Sequence, residues 1–162
     1  MEYVKFGRTG LKVSPLCLGC LNFGPVTGEV ESIATIARAD ELGINFLDVA
    51  DVYGGGENER LIGRALRELG CRDRMIVATK FTGKVADTDP ADLNAEGASR
   101  HHIIRACEAS LCRLGTDYID LYQLHSPHYN VAIEETLSAL EDLIRTGKIR
   151  YAGSCNAPAW KL

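Results

Sequence analysis

The chain has 162 residues, 46% hydrophobic and 25% charged, which is enough apolar surface for one core and predicts one domain over residues 1–162. A formal net charge of -4 and a pI near 5.6 leave no basic stripe, which argues against nucleic acid and against a polyanionic membrane surface as partners and favours a small soluble substrate. No stretch approaches the roughly 18 to 20 apolar residues that span a bilayer, and Met1–Lys5 lacks a signal-peptide core, so a cytoplasmic protein is expected.

The first thirteen residues place short apolar pieces around Gly7-Arg8-Thr9-Gly10, which predicts an antiparallel hairpin of Tyr3–Phe6 with Leu11–Val13. Pro15–Gly19 reads as a first buried strand. A helix is expected from Glu29 to Leu42, with Ile33, Ile36 and Ala37 on one face and Gly43 as terminator. The pattern repeats as strand Ile44–Val49, helix Glu57–Leu69 closed by Gly70, and strand Met75–Thr79.

A polar loop from Phe81 to Gly97 precedes a helix capped by Ser99 and stopped by Gly115, then strand Tyr118–Leu124. Asn130 is the expected cap of a further helix with Ile133, Leu137, Leu140 and Ile144 on one face, and strand Ile149–Ser154 follows Gly147. Asn156–Leu162 reads as a turn into another helix, with Trp160 packed. A glycine-ended helix followed at once by a short apolar run is the pattern of right-handed crossovers in a parallel sheet, so an open doubly wound sheet or a (β/α) barrel both fit.

In parallel α/β folds the loops after the strands build the site, so polar residues at the strand ends are the candidates. They carry Gly19 and Cys20, Asp48 with Asp51 and Tyr53, Lys80, His125, and Ser154 with Asn156. A phenol beside an ammonium suits proton delivery to an oxygen, because the positive charge favours phenolate, and Asp48 would orient Lys80. Six cysteines read as reduced; Cys17 and Cys20 have redox or zinc spacing, but no second pair is suitably placed, and no metal site is expected there or at His125 and His128. Gly54–Gly56 is read as a tight turn, and His101-His102 as the solvated start of a helix.

The sequence resembles the aldo-keto reductases. The resemblance lies in Phe6–Ser14, in Asn45–Glu59 (NFLDVADVYGGGENE), in Ala78-Thr79-Lys80, in Cys112–His125, and in Gly147–Arg150 leading to Gly153. It implies a parallel (β/α)8 TIM-type barrel with an N-terminal β-hairpin, here truncated after strand five. It also implies reduction of an aldehyde or ketone to an alcohol, with NADPH the usual cofactor in preference to NADH. By the same resemblance Tyr53 is the general acid, Lys80 its modulator, Asp48 the partner of Lys80, and His125 the group that orients the carbonyl. Gly19, Cys20, Leu21, Asp48 and Asn156 would lie at the nicotinamide end of the cofactor.

Two departures stand out. The family usually places a serine directly before the asparagine, whereas this chain has Cys155 there and Ser154 one position earlier. The chain also stops short of the roughly 250 residues of a whole barrel, so the family's sites for the pyrophosphate and the 2′-phosphate are absent, and exposed sheet edges would permit self-association. The alternative is a non-catalytic, reductase-like binding or regulatory subunit. Intact Tyr53 and Lys80 favour the enzyme.

Overall fold

A computed structural model describes residues 1–158 and 160. Short extended pieces around a glycine turn form the antiparallel ribbon β1 (Val4–Lys5) and β2 (Lys12–Val13), as the sequence predicts. Five further strands form one parallel sheet in chain order: β3 (Leu18–Gly19), β4 (Phe46–Asp48), β5 (Ile76–Phe81), β6 (Ile119–Leu124) and β7 (Ile149–Ser154). The crossovers are α1 (Glu29–Glu41), α2 (Glu57–Glu68), α3 (Arg100–Leu114) and α4 (Ile133–Arg145).

Register decides which side chains meet. Gly19 pairs with Asp48, Asp48 with Ala78, Ala78 with Leu121, and Lys80 with Gln123. Because side chains alternate along a strand, Asp48, Lys80 and Gln123 share the face away from the helices, while Leu47, Val77, Thr79 and Tyr122 point toward them. The helix-side layer is the core: Phe81 and Tyr122 stack with centroids 4.7 Å apart, among buried Leu47, Ile62, Ile103, Ile119 and Ile149.

Helices α2 and α3 approach closely because Gly63 has no side chain. A Cβ there would lie 2.2 Å from the Leu114 carbonyl oxygen. Ser99 caps α3 as expected, its Oγ accepting from His102 N at 3.3 Å, and Gly115 ends it at φ +63°.

Several expectations are corrected. The first strand is not buried: only Leu18–Gly19 pair, at the sheet edge, with Gly19 exposed. The third parallel strand runs on to Phe81, so Lys80 lies inside it. Helix α4 begins after Ala132, with no side-chain cap; Glu134 and Glu135 supply negative charge to its first turn, and Asn130 lies outside it. Its buried face is Thr136, Ala139, Leu140 and Leu143, while Ile133, Leu137 and Ile144 are exposed on a flank that no described element covers. His102 is buried, not solvated, and Trp160 is 78% exposed. Of the helix expected at the end of the chain, residues 159, 161 and 162 lie outside the described residues. Among the described residues no helix is long and apolar enough to cross a membrane.

Candidate active site

Strand β4 ends at Asp48, and the chain then turns through Ala50–Gly56 into α2. Gly54, Gly55 and Gly56 take φ of +58°, +65° and +97°, so the expected tight turn is there and needs residues tolerant of the left-handed region. The turn presents Tyr53 half-buried at the strand ends. Val52, beside it, packs so closely on Gly83 that a Cβ at that glycine would lie 2.2 Å from Val52 Cγ1.

Lys80, only 4% exposed, reaches out of β5 into this turn. Its Nζ donates to Asp48 Oδ2 at 2.8 Å and to the Val49 carbonyl at 2.7 Å, and lies 3.4 Å from the Tyr53 hydroxyl. Burial pulls the ammonium down, but the hydrogen bond and charge of Asp48, with the Tyr53 contributions, outweigh it and hold Lys80 above its ordinary pKa. A lysine so held is a fixed cation at neutral pH.

His125 follows β6, its N–H donating to the Phe81 carbonyl at 2.9 Å and its ring edge-on to Tyr53 with centroids 5.9 Å apart. Burial, reinforced by the Lys80 charge, lowers its pKa, so the imidazole is neutral at neutral pH. Asn156, at φ +55°, donates from Nδ2 to the His125 carbonyl at 2.8 Å. Asp48, Tyr53, Lys80, His125 and Asn156 are thus one connected cluster at the strand ends. Gly19 and Leu21 are exposed near this mouth, and Cys20 is buried, its thiol donating to the Leu18 carbonyl.

The sequence profile of the Aldo/keto reductase family matches residues 15–162. The chain belongs to that family. It is 40% identical to the uncharacterized oxidoreductase YrpG of Bacillus subtilis, covering 100% of this chain and 51% of that protein. It is 37% identical to versiconal hemiacetal acetate reductase of Aspergillus parasiticus, covering 99% of this chain and 52% of that one. The fold superimposes with a TM-score of 0.86 on aldo-keto reductase AKR11C1 from Bacillus halodurans in its holo form, at 39% identity, covering 96% of this chain and 50% of that one. The chain spans about half the length of the curated relatives it matches. Its five-stranded parallel sheet is accordingly a portion of the (β/α)8 barrel of aldo/keto reductases.

Aldo/keto reductases use nicotinamide cofactors, and the residues at this mouth fit one. Asn156 spends its Nδ2 on His125, which leaves an amide oxygen on an exposed side chain as an acceptor for a carboxamide N–H. A Cβ on Gly19 would meet nothing within 4 Å, so the loop beside Leu21 is open to a flat ring. Cys20 is committed to the fold through its thiol, its N–H to Asp48 O and its carbonyl, which accepts from Asn58 Nδ2 at 2.7 Å. The thiol of buried Cys20 is pushed up to about 12, chiefly by burial, which disfavours the thiolate that redox or zinc chemistry needs, and Cys17 is exposed.

Sequence reasoning missed the layer beneath. Glu59, fully buried, accepts from Thr79 Oγ1 at 2.6 Å and from Arg113 Nε at 2.7 Å, tying α2, β5 and α3 together one residue from Lys80. Its only sequence signal is the acid in the first turn of a helix that follows the glycine turn, and the partner lies 54 residues away.

Proposed function

We propose that this chain carries the catalytic residues of an NADPH-dependent reductase that converts a small aldehyde or ketone to an alcohol, with Tyr53 as general acid. The observation that carries this reading is Lys80 Nζ, held between Asp48 Oδ2 and the Tyr53 hydroxyl on the face of the sheet opposite the helices. In this scheme Asp48 fixes Lys80, and the Lys80 charge stabilises the phenolate left when the Tyr53 hydroxyl gives its proton to the carbonyl oxygen. His125, neutral and edge-on to Tyr53, donates an N–H to the same oxygen and sets its direction. Asn156 fixes His125 and, with Gly19 and Leu21, receives the nicotinamide, which when bound supplies the hydride.

The test uses the barrel completed to eight strands. Tyr53→Phe should lower kcat for carbonyl reduction by at least about a hundredfold, the scale of general acid catalysis, while NADPH affinity stays nearly unchanged. Full activity in that variant would remove Tyr53 from the role.

A further inference from the structure

The Tyr53 hydroxyl accepts from Lys80 Nζ at 3.4 Å and has no other hydrogen-bond partner among the described residues. So long a bond is too weak to place the ring, and the placement depends on what the turn Ala50–Gly56 rests on. It rests on the loop that leaves β5. Val52 Cγ1 lies 2.2 Å from where a Cβ on Gly83 would be, and Cβ atoms on Gly55 and Gly56 would lie 2.9 Å from Ala86 Cβ and 3.3 Å from Val85 Cγ1. Gly83 does not take a positive φ, so the position uses its missing side chain and not its backbone freedom.

The loop itself is anchored at both ends and along its length. Gly97 N donates to the Thr82 carbonyl at 2.9 Å, and buried Thr82 takes φ +122°, a conformation that a β-branched residue keeps only where its surroundings impose it. Asp87 accepts from Arg60 Nη2 of α2 at 2.8 Å and lies 3.7 Å from Arg113 Nη1 of α3, and Asp92 accepts from Arg105 Nη1 at 2.7 Å. Lys80 and Gly83 lie on one run of backbone, Val52 and Tyr53 on another. The Val52–Gly83 contact therefore joins the segment that carries the ammonium to the segment that carries the phenol. We propose that Gly83 is a positioning residue: the space left by its missing side chain seats Val52, and that seat keeps the Tyr53 hydroxyl at Lys80. The catalytic meaning of the seat rests on the reductase reading; the packing does not.

The test exchanges size across the contact in the barrel completed to eight strands. In Gly83→Ala a crystal structure should show the Tyr53 hydroxyl moved away from Lys80 Nζ. Its kcat should fall about 10- to 100-fold, the scale of a misplacement near an ångström, with the NADPH Kd held within about twofold. Adding Val52→Ala makes room for the new methyl, so the double variant should bring the hydroxyl back and recover most of kcat, whereas independent damage would accumulate. A hydroxyl that stays in place in Gly83→Ala, as when Val52 turns its methyls aside, overturns the proposal. So does a double variant no better than Gly83→Ala, or a loss of NADPH affinity as large as the loss of kcat. If Gly83→Ala does not fold, the double variant decides: a folded, active double supports the seat, and one that also fails to fold overturns it. The crystal structures need no catalysis, so an active Tyr53→Phe enzyme would end the reductase reading and still leave the seat to be tested. A failed seat likewise leaves the reductase reading to Tyr53→Phe.

Discussion

A lysine that is 4% exposed survives as a cation only because its desolvation is compensated within a hydrogen bond's length, and Asp48 and the Val49 carbonyl do so here. The same rule governs Glu59 and Arg113, whose side chains are 0% and 4% exposed. Removing one partner strands the other charge in the core, so Arg113→Met should cost about 3–5 kcal/mol in urea unfolding. The double variant Glu59→Gln, Arg113→Met should lose less than the two single losses combined; a loss below about 1 kcal/mol for Arg113→Met alone would show the pair to be dispensable. The upper cluster of Asp48, Tyr53, Lys80 and His125 was legible in the sequence because each polar group lies near the C-terminal end of a short apolar run or in the turn that follows it. Glu59, Arg113 and His102 were not, since each sits in a charged helical stretch that reads as a solvated face until its distant partner or covering loop is known.

At the scale of elements, local chemistry placed the helix ends, and neighbours decided which faces are covered. Gly43, Gly70, Gly115 and Gly147 all take positive φ after helices, as their positions suggested, and Ser99 caps α3. The α4 face was misjudged because Ile133, Leu137 and Ile144 keep helical spacing with Leu140, yet the sheet and α3 meet the helix along Thr136, Ala139 and Leu143. Thr136 shows why composition misled: its hydroxyl donates to the Ala98 carbonyl at 2.9 Å and is buried as a polar tie. Gly63 is the opposite case, a helix-interior glycine that local propensity would replace with alanine. With the Leu114 carbonyl 2.2 Å from the Cβ position, Gly63→Ala must push α2 off α3. It should lower stability by about 1–3 kcal/mol despite alanine's better helix propensity. A rise in Tm would mean that the two helices do not meet there.

At the scale of the whole molecule, the sheet has two open sides. Among the described residues β3 and β7 each pair with one neighbour only, which leaves a row of backbone groups on either edge. Beside β7 the exposed α4 flank presents Ile133, Leu137 and Ile144, and beside β3 the helix α1 carries Val30 at 85% exposure. The curated relatives hold about as much sequence again, which suits the view that these surfaces are interior in a whole barrel. Exposed together with unpaired strand edges, they should drive the 162-residue polypeptide to associate. Sedimentation velocity should then show a weight-average coefficient that rises with concentration, and Leu137→Glu should reduce that rise by placing a charge in the apolar stripe. On the proposed reading Gly19, Leu21 and Asn156 would meet only the nicotinamide end of the cofactor, so this polypeptide is expected to bind NADPH weakly and to reduce carbonyl compounds at no useful rate. A folded monomer that binds NADPH with micromolar affinity, or a dimer that completes the site across its interface, would overturn that expectation, since either would supply from within this sequence the contacts that the open edges leave unmade.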